Sequence, residues 1–172
     1  MQTSKSAEAL SPAVTQEATP AQLAAQVKLL EDKYVKATGI QERTELIYDL
    51  VSVDSPDRVD AVGRLFSGET NQKLKMELIN ALGNIEGDNK KKLDILTGGI
   101  AGKQSNAVRI KAIVALMDLG DKRGVPLLRG LLNDSDRLVR QNAEDAVEQL
   151  QADLRLRAPQ LYQVQKPMET ME

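Results

Sequence analysis

The most constraining feature of this chain is a recurring basic residue with the same kinds of apolar residue behind it. Arg43, Lys75, Arg109 and Arg140 follow one another at intervals of 31 to 34 residues. Three residues after each stand Leu46, Leu78, Ala112 and Ala143, and four after stand Ile47, Ile79, Ile113 and Glu144. Seven after come Leu50, Leu82, Leu116 and Val147, and ten after come Val53, Ile85, Leu119 and Leu150. Steps of this kind trace one side of an α-helix. A unit this short cannot bury its apolar stripe alone and must stack on its neighbours. The pattern predicts an all-α chain, a short α-solenoid (α-α superhelix) of about three and a half to four helical hairpins.

The clearest unit lies between Ser105 and Leu150. It holds Ala115–Leu116, Leu119–Gly120–Asp121, Arg123, Val125–Pro126, Leu128, Leu131–Leu132, Asp134, Val139–Arg140, Ala143 and Ala146–Val147. At these residues the chain resembles the HEAT-repeat family, in particular the bacterial HEAT-like type named from phycobilisome lyases. The resemblance is strong over 105–150 and fair over 72–104; over 40–70 only the spacing carries it. It implies an armadillo-like helical array with a scaffold or protein-binding role, and an Asp–Arg ladder between units. Asp134 stands at the ladder position, whereas Lys103 takes that place one unit earlier. The resemblance also raises an alternative: a subunit of a bilin-lyase-type enzyme.

Helix punctuation divides the chain further. Residues 1–18 are rich in Ser, Thr, Ala and Gln without a sustained period, and are expected to be a disordered polar tether. Two readings of its setting stand side by side. Met1 replaces a removed export signal and the protein belongs to the bacterial periplasm or cell envelope, as a tethered structural component; or this is an ordinary frayed terminus in the cytoplasm. The array is expected over 19–157. Thr19–Pro20 opens a first helix that Gly39 ends. Ser55, Ser105 and Ser135 are expected caps of later helices. Gly98–Gly99 is expected to allow a close backbone approach or a bend, and Ala115 and Ala146 to be tightly packed. Residues 158–172 contain two prolines and no period, and are expected to form an irregular tail.

Composition removes several chemistries. The sequence has no Cys and no His, which excludes disulfides, thiol nucleophiles, imidazole bases and Cys/His metal sites. No cofactor or metal site is expected. The acidic neighbours Asp118 and Asp121, or Asp134 and Asp136, lie where Asp caps helix ends, so catalysis is disfavoured. No apolar run is long enough for a transmembrane segment. Residues 61–130 carry 12 Lys and Arg against 7 Asp and Glu, with acidic flanks. Phe66 is the only aromatic there, which argues against single-stranded nucleic acid as partner. The Lys90–Lys91–Lys92 run reads as a solvated helix face.

The remaining expectation is a partner protein or peptide lying on one helix series. Gln72, Lys73, Asn80, Asn84, Lys111, Asp118, Asn142 and Asp145 are polar and off the apolar stripe, and form the candidate partner-binding face. Arg109 and Arg140 have two readings, as groove residues for an acidic partner or as structural groups reaching a carboxylate or carbonyl of an adjacent turn. The second is favoured.

Overall fold

A computed structural model describes residues 18–163, with side chains described to 157. The expected tether at 1–17 and residues 164–172 of the expected tail lie outside the described residues. Among the described residues there are eight helices: α1 (Pro20–Lys36), α2 (Ile40–Ser52), α3 (Arg58–Gly68), α4 (Gln72–Gly83), α5 (Asn89–Ile100), α6 (Asn106–Asp118), α7 (Gly124–Arg129) and α8 (Arg137–Gln163). Short connections fold them into four hairpins, α1–α2, α3–α4, α5–α6 and α7–α8, each packed within itself. The even-numbered helices pack in a row, α2 on α4, α4 on α6 and α6 on α8, more closely than the odd helices pack on one another. The chain is thus a two-layer helical solenoid.

Side-chain caps explain half of the helix starts, those of α1, α4, α6 and α8. Thr19 forms a capping box with Gln22, and Pro20 occupies the first helical turn. The Asn71 side chain accepts the Lys73 and Leu74 amides, and the Ser105 hydroxyl accepts that of Val108. Three expectations need correction. Gly39 does not close α1, which ends at Lys36 with Ala37 as its cap; Gly39 instead precedes α2 in an extended conformation. Ser55 bonds the Asp57 amide in a turn, and α3 starts only at Arg58. At α8 the carboxylate of Asp136, not the Ser135 hydroxyl, takes the Val139 amide at 3.0 Å. Gly120 does end α6, in the left-handed region at φ 64° that a side chain disfavours.

The stripe forms the core. Ile47, Leu50, Leu78, Ile79, Leu82, Ala112, Ile113, Leu116, Ala143 and Leu150 are essentially inaccessible. The row four residues past each basic position is informative. Three isoleucines there are buried between adjacent even helices, while Glu144 on α8 is exposed. No described helix packs on that edge of α8, so a carboxylate is tolerated. In its place α8 turns Val139, Ala143, Ala146 and Leu150 inward.

Only one glycine of the expected pair is required by packing. A Cβ on Gly99 would lie 2.7 Å from the Ala112 Cβ, so α5 and α6 meet here at near backbone contact. A Cβ on Gly98 would meet nothing closer than Phe66 at 3.8 Å. The last helix, expected to end near 157, continues to Gln163.

Candidate partner-binding face

The four basic residues that define the repeat are spent on architecture. Arg109, 5% exposed, donates through Nε to the Ile100 carbonyl at 3.1 Å and through its two terminal nitrogens to both carboxylate oxygens of Asp134. Asp134 also accepts the Asp136 amide. The Arg109 guanidinium, helped by that amide, holds the Asp134 carboxyl down at about 2. Arg140 donates to the carbonyls of Asp134 and Ser135. At the other end Arg43 donates to the Ala37 carbonyl at 2.8 Å and to Glu69 at 3.1 Å. Glu69 is buried and further accepts the Tyr34 hydroxyl and the amides of Thr70 and Asn71. Burial alone would raise its pKa; those hydrogen bonds and the Arg43 charge outweigh it, and the net shift is downward. Burial, followed by the bond to Glu69, pushes the Tyr34 phenol well up.

Glu69 and Asp134 each stand two residues before a helix cap, Asn71 and Asp136. The residue two before Ser105 is Lys103, which has no carboxylate to offer. Its neighbour Gln104 fills the role, accepting Lys75 Nζ at 2.8 Å and returning a bond to the Gly98 carbonyl. The Lys75 ammonium also lies 5.4 Å from the Phe66 ring centre, as Arg43 lies 5.1 Å from that of Tyr34. The ladder therefore continues through the middle of the array with an amide in place of an acid.

A second set of cations, not anticipated from the sequence, ties α3 and α5 each to the end of the preceding even helix. Arg58 donates to the Val53 carbonyl at 2.9 Å, and Lys92 donates to the Ile85 carbonyl. Val53 and Ile85 are equivalent, ten residues past their basic positions. Lys92 is buried, and burial followed by the Arg58 charge lowers its pKa. The lysine run is thus not one solvated face: Lys90 is exposed, Lys91 bridges Asp60 and Asp88, and Lys92 is internal. Arg64 makes a two-pronged bond to Glu31 that joins α3 to α1.

The candidate face is distributed along the even helices. Asn80 of α4 and Lys111 and Asp118 of α6 line one cleft of about 370 Å³. Asp118 also lines a neighbouring depression with Asp145, Gln149, Asp153 and Arg157. Gln72 and Lys73 are exposed on the first turn of α4, and Asn84 follows its last. None of these three borders the cleft. Asn142 donates back to the Leu138 carbonyl of its own helix. Apolar side chains Ile79, Leu82, Leu96, Val114, Ala115 and Leu119 form the walls of the cleft. Ala115 is consequently half-buried, not tightly packed as expected; Ala146 is buried. The equivalent seam between α2 and α4 is bridged by Tyr48, whose hydroxyl donates to Glu77 at 2.9 Å. Asn80 holds the Tyr48 position one repeat later, and its short side chain leaves the seam open.

Folding also re-sorts the charge. With the four ladder cations set aside, the even helices carry 9 acidic and 5 basic residues, and the odd helices 4 acidic and 9 basic. The basic centre and acidic flanks of the linear sequence become an acidic layer and a basic layer. Among the described residues no group of three or more carboxylates is placed to hold a metal ion. No described helix is long and apolar enough to cross a membrane.

The family pattern of HEAT repeats matches residues 59–148. The fold is similar to that of human deoxyhypusine hydroxylase, solved in complex with glycerol, with a TM-score of 0.66 at 21% identity. That likeness covers 76% of this chain and 45% of the hydroxylase chain, so the present chain spans less than half of its length. Comparison with curated protein sequences finds no match.

Proposed function

The chain belongs to the HEAT-repeat family, and from that premise we propose that it is a non-catalytic protein-binding scaffold module whose even-helix layer receives a partner protein or peptide. One observation carries this reading. The polar residues that recur with the repeat are consumed in holding the hairpins together, while Asn80, Lys111 and Asp118 border a partly apolar cleft of that layer, and Asp118 and Asp145 border a depression beside it. A surface that sets polar groups around an apolar recess suits recognition by an extended segment.

The test is site-specific photocrosslinking in cells that make the protein, from Asn84 on the even layer and from Asp94 on the odd layer, both exposed. A discrete protein adduct from Asn84 and none from Asp94 is the expected result. Adducts from Asp94 alone, or from neither position, would overturn the assignment.

A further inference from the structure

Resting on that reading, we propose that the occupant of the even layer is a cationic segment with an apolar anchor: a bulky aliphatic side chain seated in the α4–α6 cleft, with Lys or Arg residues running from it toward α8. Three features of the molecule point to this chemistry. The cleft is walled by apolar side chains and is open because Asn80 replaces the bridging tyrosine of the preceding repeat. Its two α6 ends are electrically distinct. Lys111 and Asp118 are seven residues apart on one helix face, about 10 Å along the axis. An occupant is therefore read in one direction, with its cationic part at the Asp118 end. Beyond Asp118 the surface continues as a depression bordered by Asp145 and Asp153, against the single cation Arg157. Asp118 belongs to both recesses, so apolar anchoring and cation recognition are contiguous. The acidic excess of the even layer would also speed encounter with a basic partner.

Lys92 lines the same cleft, yet its ammonium is committed to the Ile85 carbonyl, as Arg58 is to Val53. It is a positioning group of the array, and no chemistry on the occupant is assigned to it.

The experiment uses fluorescein-labelled peptides with one leucine followed by several lysines, matched leucine-to-serine and lysine-to-glutamate peptides, and the full chain. Binding is followed by fluorescence anisotropy at low and moderate salt. The leucine–lysine peptide should bind, weaken with salt, and lose about tenfold or more in affinity on each matched change. Two variants should produce a similar loss while melting like the parent: Asn80→Tyr, which closes the cleft, and the double change Asp118→Lys with Asp145→Lys. Equal binding of the glutamate peptide, or binding untouched by both variants, would overturn the proposal and leave the scaffold reading standing. Failure of every peptide class to bind, together with absent crosslinks, would remove both.

Discussion

Two rungs of one ladder, Arg109 on Asp134 and Lys75 on Gln104, occupy the same place in successive repeats with different chemistry. The first joins a buried guanidinium to a carboxylate through two parallel bonds; the second joins an ammonium to a neutral amide through one. Both satisfy the geometry of the turn before the next even helix. Shape is thus conserved between the repeats while charge is not, and the two rungs should respond differently to mutation and to acid.

The largest expected effect comes from breaking the charged rung. Arg109→Ala should cost about 3–5 kcal/mol in urea unfolding, because it strands a largely buried carboxylate and the Ile100 carbonyl. Lys75→Ala should cost about 1 kcal/mol, since a neutral partner is left behind. Equal costs would erase the distinction. Next, Gly99→Ala should destabilise by about 1–3 kcal/mol through overpacking against Ala112, whereas Gly98→Ala should be neutral or stabilise by up to about 1 kcal/mol. Thermal melts of the two variants decide the matter.

Acid offers a third comparison. The Asp134 carboxyl is depressed from 3.8 to about 2 in the folded chain. A depressed carboxyl contributes its stability above the unfolded pKa and loses it as pH falls through the folded one. That contribution should be about 1–2 kcal/mol above pH 4 and should vanish progressively toward pH 2. The Gln104 amide has no proton to gain in this range. Hydrogen exchange between pH 5 and pH 2 should therefore show protection lost at the start of α8 before the start of α6. The smallest effect is constructive. Lys75→Arg with Lys103→Asp rebuilds the acidic rung in the middle repeat and should add up to about 1 kcal/mol, with a new acid-sensitive component.

Periodicity was enough to read the architecture, because burial of one helix face leaves a direct trace in residue order. Ile47, Ile79 and Ile113 could be placed in the core by counting alone. Glu144 breaks that count for a reason counting does not contain, namely that no described helix packs on its edge of α8. The ladder was half visible. Asp134 stood out, but Glu69 and Gln104 did not, because their roles depend on distance from the next cap and not on distance from the preceding basic residue. Had the helix start at Asn71 been used as the frame, Glu69 would have been found; the same offset before Ser105 gives Lys103, and Gln104 takes the role from the next position. The lysine run and the charge blocks misled for a related reason: neighbours along a helix point in different directions, and alternate helices go to opposite layers. Ala115 was misplaced because its burial is decided by Asn80 on another helix.

The exposed Glu144 shares a shallow recess with Leu132, Val147, Glu148 and Arg155. Any group seated over that side of α8 would have to strip water from its carboxylate, a penalty of several kcal/mol unless the arriving surface supplied a cation. Contact there is therefore steered by charge before shape.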